Sequence, residues 1–204
     1  MPEFLNACSY LLDRRLEAGE GERVALEQGE AKVTYAELAA KVGQVAGALR
    51  SIGVRPEERV PLVMLDGVDW VASFLAALRI GAVPVPMSTM LTGAELAFQC
   101  NDARARVAIA SAALGPTIKD MAVACDELTD LVLAGDGEGA AAGLGGGHRI
   151  HRFEDWAGGP AGAAPYATWP DSPAFWLYTS GTTGRPKAVM HWYVDLLYIA
   201  ETYG

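Results

Sequence analysis

The sequence is short of positive charge. Its 204 residues include 16 Lys and Arg against 25 Asp and Glu, which gives a formal net charge of −9 at pH 7. Proteins that bind nucleic acid normally carry a basic surplus, because contacts to phosphate dominate their affinity, so we expect no nucleic-acid partner. A small anionic ligand stays open, since a local group of donors decides that case whatever the net charge is.

Cysteine is also scarce, and long apolar runs are missing. The three cysteines, at positions 8, 100 and 125, fit neither a disulfide framework nor a zinc ribbon, and we expect buried thiols. The longest uncharged stretches, such as residues 80–94, contain prolines and fall short of the roughly 18 apolar residues of a spanning helix. The first residues lack the basic region of a signal peptide. We therefore expect a cytoplasmic protein without a membrane partner.

What the sequence does contain is enough apolar surface for a packed core. Hydrophobic residues make up 51% of the chain, and 23 Gly with 11 Pro are too few for a low-complexity protein. Two short apolar runs, at 24–26 and 32–34, predict a hairpin. Thr34 and Glu37 then have the spacing of a capping box, and Gly53 stands where a left-handed residue ends the helix that follows.

From residue 60 onwards, short apolar runs alternate with helical patterns. Buried strands are predicted over 60–65, 83–87, 107–111 and 130–133, with helices over 68–80, 92–101 and 114–125 between them. Pro84 and Pro86 place the second strand at a sheet edge or make it irregular. This alternation requires right-handed crossovers. It predicts an α/β fold, a doubly wound and mostly parallel sheet with helices on both faces.

The composition changes after this unit. Ten of the 23 glycines fall between positions 135 and 162, which predicts a flexible Gly/Ala-rich excursion over about 135–165, with a short strand and a turn at 149–156. His148 and His151 lie three residues apart, as in some metal sites. No third ligand is near them, so a solvated basic loop is the expectation and no metal site is predicted.

The stretch that carries chemistry follows. An aromatic strand is predicted at 175–179 and a returning strand at 188–190, and the sequence between them reads SGTTGRPK. Hydroxyls, backbone without Cβ atoms and positive charge are concentrated here, on Thr179, Ser180, Gly181, Thr182, Thr183, Gly184, Arg185 and Lys187. Together they predict a cradle for phosphate groups.

The spacing excludes a Walker A loop. Two residues separate Gly184 from Lys187, and Pro186 removes an amide donor where a helix N-terminus would supply one. A plain Gly/Thr hairpin without any ligand stays open as an alternative.

Residues 180–187 resemble the phosphate-binding signature of the adenylate-forming superfamily, which includes acyl-CoA synthetases, peptide-synthetase adenylation domains and luciferases. Two more segments resemble elements of that superfamily in the same order, TYAEL at 34–38 and ALRIGAVPVPM at 77–87. Within it, the benzoate-CoA ligases are most similar, through NACSYLLD at 6–13, VRPEER at 54–59, AFWLY at 174–178 and ETYG at 201–204.

The resemblance implies an ATP-dependent acid-CoA ligase. Such an enzyme activates a carboxylate, here an aromatic one like benzoate, as acyl-AMP and transfers the acyl group to coenzyme A, with Mg²⁺ sharing the phosphate charge. The residues that would hold the β- and γ-phosphates are Thr179, Ser180, Thr182, Thr183 and Lys187, while Gly181 and Gly184 would let the loop close. One departure from the pattern is Ala188, where glycine is commoner.

The resemblance also implies a longer enzyme. Its adenine-binding Thr-Glu element, ribose-binding Asp, hinge and small C-terminal domain have no counterpart in these residues, so 1–204 are expected to be a partial N-terminal AMP-binding domain. No catalytic residue is expected in this part. The chain alone is expected to be inactive and to self-associate through surface that truncation exposes.

Two further readings stay open, a truncated nucleotide-binding module without catalysis and a ligase for another aryl or short-chain acid. The aromatic residues of the C-terminal part are expected mostly in the core, namely Trp169, Phe175, Trp176, Trp192, Tyr193, Tyr198 and Tyr203. His191 is expected to have a structural or surface role.

Overall fold

A computed structural model describes residues 3–136, 147–159, 162–179 and 184–203 of the chain. Four residues of the predicted phosphate loop, Ser180, Gly181, Thr182 and Thr183, lie outside the described residues. The same holds for 137–146 and 160–161 of the predicted Gly/Ala-rich excursion.

The N-terminal part is helical before the hairpin begins. A π-helical turn at Ser9–Asp13 continues into α1 (Arg14–Glu17), an element that the sequence pattern did not predict. The antiparallel hairpin follows as β1 (Val24–Gln28) and β2 (Ala31–Thr34), as predicted.

The long helix α2 (Tyr35–Ser51) begins and ends at the predicted residues. The Thr34 hydroxyl accepts the amide of Glu37, and the Glu37 carboxylate accepts the amide of Thr34, which completes the capping box. At the other end, Gly53 has a φ of +88°, and its amide bonds the carbonyl of Arg50. The next amide, of Val54, bonds the carbonyl of Leu49, so the helix closes with a Schellman motif.

A parallel sheet forms the centre of the chain. Its strands are β3 (Arg59–Val63), β4 (Val83–Pro86), β5 (Val107–Ser111), β6 (Asp130–Ala134) and β7 (Arg149–Arg152), in the spatial order β4-β3-β5-β6-β7. Helices α3 (Val68–Arg79), α4 (Gly93–Asp102) and α5 (Gly115–Val123) connect them. The proline-containing β4 lies at an edge of this sheet, as predicted.

Successive residues of the three inner strands, β3, β5 and β6, enter two different cores. In β5, Val107 and Ile109 pack with α2 and α3, whereas Ala108 and Ala110 pack with α4 and α5. Because side chains alternate along a strand, one apolar run serves both faces. The predicted doubly wound α/β sheet, with helices on both faces, is therefore confirmed.

Part of the predicted flexible excursion is ordered. Residues 149–152 form the edge strand β7, and α6 (Phe153–Trp156) follows it, with Phe153 fully buried. The sequence predicted a short strand and turn here but not their place in the main sheet.

A buried carboxylate explains why β7 stays in place. Asp130 is fully buried and accepts hydrogen bonds from Arg149 and His151, with oxygen–nitrogen distances of 2.7 to 2.8 Å. Burial alone would raise the pKa of Asp130, but these bonds and one from Thr129 outweigh it and hold that pKa well below its ordinary value. The expectation of a solvated loop at His151 is therefore wrong, because this residue lies in a strand and its side chain bonds the buried Asp130.

The last elements form a separate layer beside β4. Strands β8 (Pro173–Thr179) and β9 (Lys187–Trp192) pair antiparallel, and α7 (Tyr193–Tyr203) follows directly. β8 packs beside β4.

No helix within the described ranges is long and apolar enough to cross a membrane. Those ranges also contain no group of three His, Cys, Asp or Glu side chains that could hold a metal ion.

Two glycines in the same conformation offer a matched pair of stability variants. Gly53 and Gly81 have φ values of +88° and +78°, but a Cβ on Gly81 would lie 2.8 Å from Cδ1 of Tyr166, while one on Gly53 would meet nothing within 4 Å. We expect Gly53→Ala to lower the free energy of unfolding by about 1 kcal/mol, from backbone strain alone. Gly81→Ala should cost about 1 to 3 kcal/mol more, because Tyr166 must also move. Urea unfolding of both variants tests this, and equal losses would contradict the contact with Tyr166.

Candidate functional site

The predicted phosphate loop closes the β8–β9 hairpin. Thr179 and Lys187 are the last paired residues of the two strands, so residues 180–186 connect them. The Thr179 hydroxyl lies 3.5 Å from the Lys187 carbonyl oxygen. The antiparallel pairing of β8 and β9 thus holds the two ends of the loop close together.

Buried aromatic residues fix the base of this hairpin. Phe175 is buried and stacks on His191 of the opposite strand, with ring centroids 4.5 Å apart. On its other side it meets the edge of Phe74 from α3 at 5.7 Å. Tyr193 is fully buried and donates its hydroxyl to the carbonyl of Leu78 at 2.7 Å. These contacts give His191 the structural role expected of it.

Tyr178 ties the loop end of β8 to α4. Its hydroxyl donates to Oδ2 of Asp102 at 2.7 Å and also lies 3.1 Å from the carbonyl oxygen of Gln99. Burial, followed by the bond to Asp102, raises the pKa of Tyr178 far above its usual range. The phenol therefore stays protonated and keeps donating over the whole physiological pH range.

The other arm of the hairpin meets the same helix. The guanidinium of Arg185 lies 5.9 Å from the ring centroid of Phe98, within the range of a cation–π contact. Phe98 is the residue before Gln99, so α4 contacts both the strand before the loop and the loop itself. Sequence reasoning missed this support because the residues are about 80 positions apart and follow no short motif.

The described parts of the loop are open to solvent. Thr179, Gly184, Arg185 and Lys187 are all exposed. Gly184 has a φ of +86°, and a Cβ on it would meet nothing within 4 Å. No carboxylate of the described residues forms an ion pair with Arg185 or Lys187. Hydroxyl and positive charge are therefore available to an incoming anion.

The structure thus brings together three of the predicted site residues. Thr179, Gly184 and Lys187 lie at the hairpin end, as the sequence predicted. Ser180, Gly181, Thr182 and Thr183 belong to the part of the loop that is not described, so their contribution to a phosphate cradle stays a prediction.

A second cleft lies at the carboxyl ends of the parallel strands. It has a volume of about 360 Å³ and lies where the strand order reverses between β3 and β5, which is where ligands commonly bind in doubly wound sheets. Its lining includes Asp66, Asp69 and Asp136, against Lys41, which pairs with Asp69. Three carboxylates against one ammonium disfavour a polyphosphate in this cleft.

The hairpin end lies at the opposite edge of the sheet. Helix α4 runs from the carboxyl end of β4 to the amino end of β5, and Asp102 is its last residue. Asp102 and its partner Tyr178 therefore lie on the side of the sheet where the parallel strands begin. A pocket of about 230 Å³ at this edge is lined by three arginines, Arg59, Arg104 and Arg106, and by two glutamates that pair with Arg104 and Arg106. The guanidinium of Arg59 lies 5.6 Å from the ring centroid of Trp176 on β8. The surroundings of the hairpin are therefore more basic than the cleft.

Not all aromatic residues of this region enter the core. Phe175 and Tyr193 do, but Trp169, Trp192 and Tyr198 are 55%, 38% and 58% exposed. For these three the expectation of core packing is wrong, because they lie on surfaces of the hairpin region and of α7 that no other described element covers. The side chain of Tyr203 lies outside the description.

Comparison with known proteins agrees with this geometry. The family model of the AMP-binding enzymes matches residues 12–203. The benzoate–CoA ligase of Thauera aromatica is 38% identical over 205 residues, covering all of this chain and 37% of that enzyme.

Two solved structures are also similar. The anthranilate CoA ligase AuaEII, in complex with anthranoyl-AMP, superimposes with a TM-score of 0.90 at 29% identity, covering all of this chain and 38% of that one. The benzoate CoA ligase from Burkholderia xenovorans LB400 does so with a TM-score of 0.81 at 32% identity, covering 98% and 37%.

The chain thus spans somewhat more than a third of the length of the relatives it matches. Since the family model covers nearly every residue, and the matched structures share the fold, this chain belongs to the AMP-binding enzyme family.

Proposed function

We propose that this chain is the N-terminal part of an ATP-dependent acid–CoA ligase and that it binds the polyphosphate of ATP at the end of the β8–β9 hairpin. The observation that carries the proposal is the open hairpin end, where Thr179 and Lys187 are exposed and Lys187 has no carboxylate partner among the described residues. The remaining loop residues, Ser180, Gly181, Thr182, Thr183 and Gly184, complete the proposed phosphate site.

The reaction explains why such a site is needed. A carboxylate is a poor electrophile, so its oxygen attacks the α-phosphorus of ATP, pyrophosphate leaves and acyl-AMP forms. The sulfur of coenzyme A then attacks the acyl carbon, the thioester forms and AMP leaves. The loop's part is positioning and charge neutralisation, since the pyrophosphate leaving group carries the charge that Lys187 faces.

Mg²⁺ fits this site as a partner of the nucleotide. It prefers oxygen ligands, keeps several waters and is usually held by phosphate oxygens together with one or two protein groups. The described residues offer the hydroxyl of Thr179 at the hairpin end and no cluster of three metal-ligating side chains. Mg²⁺ would therefore be held mainly by the phosphates, whose charge it would share with Lys187.

An aromatic carboxylate such as benzoate is the proposed acid. The similarity to two benzoate–CoA ligases and to an anthranilate CoA ligase supports this choice. Another aryl or short-chain acid is the alternative.

Self-association through exposed apolar side chains stays a prediction. It is supported by the partial exposure of apolar residues on the hairpin and α7, namely Leu177, Val189, Met190, Trp192, Tyr198 and Ile199.

Removing the Lys187 ammonium should weaken ATP binding. A charge-assisted hydrogen bond contributes about 1.5 to 3 kcal/mol, so we expect Lys187→Ala to lower the affinity for ATP–Mg²⁺ about 10- to 100-fold in titration calorimetry. Lys32→Ala is the control, because Lys32 is an exposed lysine of the β1–β2 hairpin that pairs with Glu27. Equal affinities of wild type and Lys187→Ala, or no ATP binding by the wild type, would contradict the site.

Loosening the hairpin should also weaken ATP binding. Tyr178→Phe removes the hydroxyl that bonds Asp102 and keeps the ring, so we expect a several-fold loss of ATP affinity while the free energy of unfolding falls by only about 1 kcal/mol. Tyr10→Phe is a matched control, since its hydroxyl also donates to a carboxylate, Glu201 at 2.9 Å, away from the loop. If both variants bind ATP equally well, α4 does not position the loop.

The 204-residue chain should not complete adenylation by itself. We expect it to bind ATP–Mg²⁺ but to give no pyrophosphate–ATP exchange with benzoate above the rate without protein, because it spans 37% of the matched benzoate–CoA ligase. An intact benzoate–CoA ligase serves as the positive control. Exchange near the rate of that enzyme would show that these residues suffice. ATP binding without exchange also fits a nucleotide-binding module, and exchange by a longer product of the same gene would separate the two.

A further inference from the structure

Two of the three cysteines lie in the same core, at the C-terminal ends of α4 and α5. All three are free thiols, and all are buried. Cys100 lies in the last turn of α4 with 1% of its surface exposed, and Cys125 follows α5 with 7% exposed. Sequence spacing gave no sign of this pairing, because 24 residues separate the two.

An asparagine beside Cys100 holds the two segments together. The Asn101 side-chain amide donates to the carbonyl of Ala124 at 2.9 Å, and its oxygen accepts the amide of Asp126 at 2.9 Å. These two bonds reach the residues directly before and after Cys125. The backbone that carries Cys125 is therefore fixed against the end of α4.

The surroundings of the two cysteines are apolar and rich in sulfur. Sγ of Cys100 is 3.7 Å from Sδ of Met121, and both cysteines belong to the core between the sheet and helices α4 and α5. Interaction with Cys125, together with burial, raises the pKa of Cys100, and interaction with Cys100 lowers the pKa of Cys125. Cys125 is thus the thiol that forms a thiolate more readily.

The site is also close to the surface on the side of Cys125. Ala124, Asp126 and Glu127 around it are exposed, so Cys125 occupies a turn at the rim of the core. Cys8 differs in its burial, in its neighbour and in its pKa. It is fully buried, its sulfur contacts Arg79 at 3.9 Å, and burial raises its pKa to about 12.

We propose that Cys100 and Cys125 are a redox-sensitive dithiol that a peroxide converts to an intrachain disulfide. The Cys125 thiolate attacks one oxygen of hydrogen peroxide and the O–O bond breaks, which gives a sulfenic acid and, after protonation, water. The sulfur of Cys100 then attacks the sulfenic sulfur, the S–S bond forms and a second water leaves with the proton of Cys100. Two thiols lose two electrons, and one peroxide becomes two waters.

Mass spectrometry of the folded protein tests the proposal. After hydrogen peroxide treatment, we expect an intact mass lower by two hydrogen atoms, one remaining thiol after denaturation, and a linked peptide pair containing Cys100 and Cys125. Cys8→Ala should form the same link. Cys100→Ala and Cys125→Ala should not lose two hydrogens.

The wild-type peptide map keeps the test valid even if a cysteine variant folds poorly. A disulfide that includes Cys8, a link between two chains, oxygen added to single cysteines without a link, or three unchanged thiols would each overturn the proposal.

Discussion

Side-chain contacts hold the hairpin that carries the proposed site. Among the described residues, β8 and β9 share no backbone ladder with the parallel sheet. Their position rests on Phe175 against Phe74, on the Tyr193 hydroxyl at the carbonyl of Leu78, and on Tyr178 at the end of α4. A two-stranded hairpin is marginal by itself, so these anchors decide where the loop points.

The distribution of charge decides which surface can take a polyphosphate. The chain carries a net charge of −9, and the cleft at the carboxyl ends of the strands is acidic. The hairpin end instead presents Arg185 and Lys187, with the guanidinium of Arg59 beside Trp176 on the same strand pair. As a general rule, ligands bind to doubly wound sheets where the strand order reverses, which in this protein is the acidic cleft. The local electrostatics instead favour the opposite edge of the sheet for a polyphosphate. The proposed ATP site lies at the basic edge.

Much of the fold was predictable because its signals are local. The capping boxes at Thr34 and Thr92, the left-handed Gly53 and the apolar runs of the strands all act within a few residues. The loop that carries the proposed site was predictable to the same extent, since Thr179, Gly184 and Lys187 belong to one short motif. The place of β7 in the main sheet was not, because it depends on the buried Asp130, which lies about 20 residues before Arg149 and His151.

By itself, the sequence determined the layered α/β fold, the hairpin loop and the family resemblance. Periodicity, helix caps and a contiguous motif each depend on residues that are close together in the sequence. Tertiary structure alone decided that α4 contacts both Tyr178 and Arg185, that Trp192 and Tyr198 stay exposed and that Cys100 and Cys125 share one core. These facts join residues far apart in the chain, and only the packing of helices on the sheet sets their distances.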